Sequence, residues 1–283
     1  MAKQTSIAWC KSTLNPWIGC SRVSEGCNSC YAEALDKRMR FGGATHWGPG
    51  VPRHRTSATN WAAPLAWNKA APGSEFAGRK GFWPVFCASL ADVFDNEVPV
   101  AWRYDLWNLI AWTPNLTWYL VTKRVGNVNL MVPEAWRRDG FPPNVRIIAT
   151  IVNQEEADRD IPKLLALPCK NGISYEPALG PVDWSPWLWI PHDHSRGQIE
   201  WLIVGGESKQ PGHEARPFDL AWARTAVEQC KAAGTACFVK QLGANAVIGR
   251  ENCTPLHVMF IKDRAGADPA EWPADLQVRE FPR

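Results

Sequence analysis

Short apolar, β-prone runs alternate along this chain with stretches whose apolar positions recur at helical spacing. The runs are WPVFCAS (83–89), TWYLVT (117–122), VRIIATIV (145–152), GISYE (172–176), EWLIVGG (200–206) and ACFVKQ (236–241). Between the first two, the stretch 99–112 sets Trp102, Leu106, Leu109 and Ile110 at helical spacing. The charged run NQEEADRD opens a helix expected to end near Leu167, and a strong helix is predicted over 217–233. A further helix follows from Tyr31 to Arg40, after a short strand that precedes Cys20. Strands that are apolar on both faces and separated by helices predict a parallel sheet covered by helices. About seven such βα units point to an α/β fold, a complete or partial TIM-like (β/α) barrel over 1–241. The Gly/Pro-rich stretch at about 41–81 looks like an inserted excursion, and 242–283 like a C-terminal cap with little regular structure.

Polar residues fall just past the end of nearly every predicted strand. They are Ser89 and Asp92, then Thr122, Lys123 and Arg124, then Asn153 and Gln154, then Glu176, then Gly205, Gly206 and Glu207, and finally Lys240 and Gln241. In a βα barrel these positions converge on the C-terminal mouth, where active sites are built. Strands also end wherever polarity begins, but that accounts less well for lysines and carboxylates emerging directly from apolar strands.

Composition narrows the class without naming a chemistry. With 283 residues, 46% hydrophobic and 21% charged, the chain is neither disordered nor fibrous. No run approaches the ~18 apolar residues of a membrane span, and no apolar signal-peptide core follows the first methionine, so a soluble cytoplasmic protein is expected. A formal charge of +3 is too mild to mark a nucleic-acid binder by itself. The excursion nevertheless carries Arg53, His54 and Arg55, with Trp47 and Trp61 on either side. Basic groups interleaved with aromatic rings suit a nucleic-acid groove, and equally a solvated loop of mixed charge. His192 and His194 sit in a Pro/Asp loop that reads as surface.

The sharpest signal is GCSRVSEGCNSCYAE, in which Cys20, Cys27 and Cys30 are spaced C-x6-C-x2-C in a glycine-containing loop. Three thiols this close in a reducing compartment read as metal ligands. A structural zinc would need a fourth protein ligand, for which Cys10 is the nearest cysteine. A [4Fe–4S] cluster on three cysteines leaves one iron open to a substrate or cofactor. Cys87 and Cys237 lie inside strands and read as core.

The motifs TSIAWCKSTLNPWIGCSRVSEGCNSCYAE, SLADVFD, LVTKR, SYEPALGP, IVGGES, FVKQLG and WPADLQVREFP, in this order, resemble the phage-associated three-cysteine-motif proteins of unknown function, themselves similar to the radical SAM superfamily. That resemblance implies a radical SAM-type barrel in which Cys20, Cys27 and Cys30 hold a [4Fe–4S] cluster. S-adenosyl-L-methionine would chelate the open iron, a reductase would supply the electron, and a 5′-deoxyadenosyl radical would abstract hydrogen from substrate. It also assigns Ser89 and Asp92 to the methionyl amine, Lys123 (with Arg124) to the carboxylate or a phosphate, and Glu176 to ribose hydroxyls. Glu207 becomes a ribose or amine partner and Lys240 a charge partner at the mouth. The chain departs from the superfamily's usual C-x3-C-x2-C spacing, and its aromatic, Tyr31, follows the last cysteine rather than preceding it. A nucleic acid or nucleotide substrate is expected, with base modification or photoproduct reversal as the reaction. The alternative is a zinc-stabilised nucleic-acid-binding protein with no redox activity.

Overall fold

The computed structural model describes residues 5–188, 198–210, 212–251 and 254–283. His192 and His194 lie outside the described residues. Two compact units divide the chain: Met1–Ile148 with Leu167–Lys170, and Ala149–Ala166 with Asn171–Arg283.

The first unit holds β1 (Ser12–Thr13), β2 (Pro84–Cys87), β3 (Thr117–Thr122) and most of β4 (Val145–Thr150). Ser12 lies opposite Val85, and Pro84 opposite Thr117, in parallel register. Every residue of β2 and β4 is buried, as expected of strands in a parallel sheet covered on both faces. Its helices are α1 (Tyr31–Met39), α2 (Ala58–Ala70), α3 (Val100–Ala111), α4 (Val125–Met131) and α5 (Glu134–Asp139). Helix α3 buries Leu106, Leu109 and Ile110, the face its spacing predicts.

The second unit holds α6 (Gln154–Leu165), β5 (Lys170–Tyr175), β6 (Trp201–Gly205), α7 (Leu220–Ala233) and β7 (Ala236–Gln241). Asn153 caps α6 by accepting from the Glu156 N–H, and the Glu156 carboxylate accepts in return from the Val152 N–H. Asp219 caps α7, which ends on Gly234 in the left-handed region at φ 71°.

The seven strands form one parallel sheet whose hydrogen-bonded neighbours follow chain order, β1 to β7. A doubly wound sheet would reverse that order part-way. The fold is therefore mixed α/β, and the strand order is compatible with a partial TIM-like arrangement.

Three segments differ from expectation. The excursion holds the 13-residue helix α2, started by the Ser57 hydroxyl accepting from the Asn60 N–H; Pro64 and the surrounding glycines hide it in the sequence pattern. The polar stretch after β3 holds α4 and α5. The tail forms a hairpin of strands Ala246–Glu251 and Thr254–Val258 beside a short strand at Phe218–Asp219. Beyond the hairpin the tail covers an edge of β7. Val239 N–H donates to Val278, Glu280 N–H donates to Cys237, and Phe281 packs on Trp201 and Phe238. Covering an open strand edge removes a surface for stray pairing.

Candidate thiol and charge site

Gly19 carries the chain past the end of β2, its N–H donating to the Leu90 carbonyl at 3.0 Å. Its φ of +112° and the His46 carbonyl, 2.2 Å from where a Cβ would stand, make any other residue a clash. The cysteine loop starts at the next residue. Ser24 caps a short turn at Glu25–Cys27, and Cys30 is the N-cap of α1. Tyr31 then ties α1 to the segment after β2, its hydroxyl donating to the Ser89 carbonyl at 2.7 Å. All three cysteines are free and half-buried, whereas Cys10, Cys87, Cys230 and Cys237 are buried.

Behind the loop lies a buried charge network. The Arg124 guanidinium, on the residue pair after β3, donates through Nη1 to Cys20 Sγ and to Asp92 Oδ2, both at 3.2 Å. Its Nη2 donates to the Ser21 carbonyl at 2.6 Å and lies 3.6 Å from Asp95. Asp92 also accepts from the Thr122 hydroxyl and from the N–H groups of Lys123 and Phe94. Arg53 donates to Asp95 at 2.7 Å, to the Ser21 hydroxyl, and to the carbonyls of His46, Gly48 and Val51. Arg103 of α3 donates to the carbonyls of Val93, Asp95 and Val98. The loop after β1 is thus pinned to the C-terminal ends of β2 and β3, within one compact unit.

This network changes the protonation of its members. Burial first, and then Asp92, push the Cys20 thiol up to about 12 against the opposing pull of Arg124. Burial works against the charge of Arg124, but Asp92, Cys20 and Asp95 outweigh it and hold that charge more firmly than usual. On the far side of the loop, Arg22 rests on Glu33 at 2.8 Å, within electrostatic reach of Cys30 and Cys27.

Several residues singled out from the sequence serve different ends here. Arg53 is buried and committed to Asp95 and backbone carbonyls, so it is not presented to a phosphate. Arg55 pairs with Asp105 and lies over Trp61, 4.4 Å from the ring centre; the His54 ring packs by His46. Ser89 exchanges hydrogen bonds with Asn15. Lys123 is half-buried, and its ammonium makes no ion pair among the described residues. In the second unit Glu176 pairs with Lys240 at 2.7 Å and accepts from Ser174. Both oxygens of Glu207 are held by Arg216. The adjacent glycines make room for protein rather than ligand: a Cβ on Gly206 would meet the Leu242 carbonyl at 2.4 Å, and one on Gly205 the Glu176 carboxylate at 3.0 Å. Asp95, Arg103, Ser21 and Asn15 escaped sequence reading, although an arginine inside the apolar face of α3 was a signal.

A family model described as a protein of unknown function (DUF5131) matches residues 4–267. The chain belongs to the DUF5131 family. No curated protein and no solved structure matches it.

The donor set of the loop, three accessible soft sulfurs free of disulfides, fits a thiophilic metal in kind. Among the described residues no three Cys, His, Asp or Glu side chains are gathered closely enough to hold a metal ion. The loop therefore presents three thiols that would have to close around an ion, as metal-thiolate sites that fold on binding do. Cys10 does not complete a four-ligand set. Lys11 N–H donates to Pro84 at the start of β2, whereas the Cys20 loop leaves past its other end, at Leu90. No helix among the described residues is long and apolar enough to cross a membrane.

Proposed function

We propose that this chain is a radical SAM-like iron–sulfur enzyme acting on nucleic acid or a nucleotide, on a partial TIM-like parallel α/β scaffold, the reading its motif resemblance to phage three-cysteine proteins implies. The observation that carries this reading is the tie from Arg124 to Cys20. It places a three-thiol loop at the C-terminal ends of adjacent parallel strands, where α/β enzymes assemble their sites. Cys20, Cys27 and Cys30 would hold the [4Fe–4S] cluster. Such a cluster, once reduced, supplies the electron that breaks the sulfonium C–S bond of S-adenosylmethionine.

The chain's own residues position and exclude. Arg124 and Arg53 anchor the loop from behind through Ser21. Lys123, with an uncommitted ammonium, is the group suited to a carboxylate. Asp92 and Ser89, engaged by protein donors, act by fixing the strand ends. Glu176, in the second unit, is committed to Lys240 and Ser174. Glu207 is consumed by Arg216 and carries no cofactor role.

The deciding experiment is anaerobic purification with iron, sulfide and zinc analysis, followed by incubation with S-adenosylmethionine and dithionite. About four irons per chain and release of 5′-deoxyadenosine support the proposal. Stoichiometric zinc without iron after anaerobic reconstitution overturns it.

A further inference from the structure

The second unit carries a concavity of about 890 Å³ between the segment after β6 and the tail beyond the Thr254–Val258 strand. Phe260 stands at it 84% exposed and Val258 65% exposed. Both side chains line the same concavity, with Met259 and Ile261 beside them, so the exposed apolar surface is gathered at one place.

Three cations and three carboxylates surround it, and they differ in what engages them. Two of the acidic groups are engaged by backbone donors although exposed or half-buried: Asp263 accepts from the N–H groups of Ala265 and Ala267, and Glu271 from those of Lys262 and Asp263. The cations are left outward. Lys262 and Arg264 are exposed and make no ion pair among the described residues. Lys209 is engaged only by Glu214, in a pair whose side chains are 55% and 84% exposed, a geometry that contributes little and yields readily to another anion.

We propose that this face binds single-stranded nucleic acid, with a base stacked on Phe260 and phosphates held by Lys262, Arg264 and Lys209. A ring that accepts any base, beside cations spaced along a loop, is the chemistry that single strands use. The basic excursion around Arg53 cannot serve this end because its central arginine is buried. The inference gives a surface to the nucleic-acid part of the proposed function. It needs neither metal nor cofactor, so its failure and the failure of the iron–sulfur reading are separable.

The test is fluorescence anisotropy of a labelled 12-nucleotide oligothymidylate with the full chain at 50 to 200 mM salt. The wild-type chain is expected to bind, with affinity falling as salt rises. Phe260→Ala should weaken binding about 5- to 100-fold, the loss of one base–aromatic stack. The double variant Lys262→Gln/Arg264→Gln should flatten the slope of log affinity against log salt by about 1.4, two phosphate contacts at about 0.7 each. A duplex of the same length should bind more weakly, since its bases cannot reach the ring. These residues are exposed, and circular dichroism should show unchanged folding. Absence of binding at 50 mM salt overturns the proposal, as does equal binding by wild type and both variants, or no preference for single strand over duplex. Capture of an extended peptide by the same face, with no oligonucleotide binding, also overturns it.

Discussion

Arg124→Met is expected to destabilise the first unit by about 3 kcal/mol, and the structure says why. The guanidinium is buried and has four partners: the Cys20 sulfur, Asp92, the Ser21 carbonyl and, at 3.6 Å, Asp95. Removing one member of a buried ion pair costs about 3–5 kcal/mol, because the remaining charge is left without compensation. Here the cost falls at the lower end, since Asp92 keeps the Thr122 hydroxyl and two N–H donors, and Asp95 keeps Arg53. Arg124→Lys retains the charge but not the fork, and should recover less than half of the loss. The assay is urea denaturation of the metal-free chain, fitted as two transitions because the chain has two units. A double-mutant cycle with Asp92→Asn should give a coupling energy of about 1.5–3 kcal/mol. Trypsin gives a second readout: with Cys20 and Ser21 released, cleavage after Arg22, whose side chain is 54% exposed, should quicken. A loss under about 1 kcal/mol, or a coupling under about 0.5 kcal/mol, would show that the network does not hold the loop.

Three further outcomes follow from particular contacts. Cys27→Ala should abolish metal binding on anaerobic reconstitution while Cys10→Ala retains it, because Cys10 lies at the opposite end of β2; iron and zinc analysis checks this, and equal loss in both would restore a four-cysteine zinc site. Gly206→Ala drives a Cβ into the backbone of Leu242 and should cost about 2 kcal/mol, read by urea denaturation; a neutral result would mean that the close approach relaxes freely. Asp160 is affected first by burial, which raises its pKa, but hydrogen bonds from Arg159 and Lys163 outweigh this and hold its carboxyl below the usual range. A depressed folded-state value stabilises above the unfolded value and loses that contribution as pH falls through the folded one. Asp160→Asn should therefore cost up to about 1 kcal/mol at pH 7, with the difference from wild type closing below about pH 4; an unchanged difference at pH 2.5 would contradict the pairing.

The strands are legible because each is a continuous apolar run: 117–122 and 236–241 match to the residue, and the ends of the other four long runs fall within two residues of the observed ones. The run 83–89 shortens to Pro84–Cys87 because the chain after Cys87 bends to supply Ser89 and Asp92 to the site. Helix α2 was hidden by Pro64 and its glycine-rich flanks, where local composition contradicts what Ser57 and the burial of Trp67 support. The tail hairpin lacks clean alternation, so period alone could not find it. The cysteine spacing points to the loop, and the polar strand ends include Asp92 and Arg124, which meet beside Cys20. What the pattern could not show is who partners whom. Arg53 reads the same in a solvated excursion as in a buried pair with Asp95, because residue type and spacing carry no record of a contact 42 positions away.

The buried charges around Cys20 carry the last step. Arg53, Arg103 and Arg124 are buried near Asp92 and Asp95, with the buried Asp36 reached through His46. Arg103 and Arg53 spend most of their donors on backbone carbonyls, whose dipoles compensate charge without cancelling it. Arg124 is the guanidinium that reaches a sulfur of the loop, that of Cys20. Yet burial and Asp92 push that thiol up to about 12, so the network alone does not ionise it. A group that brings its own positive charge, as a thiophilic metal does, can expel the proton where one arginine cannot, and the resulting thiolate would find Arg124 already in place. Cys87, fully buried and affected by burial alone, has no such arginine beside it.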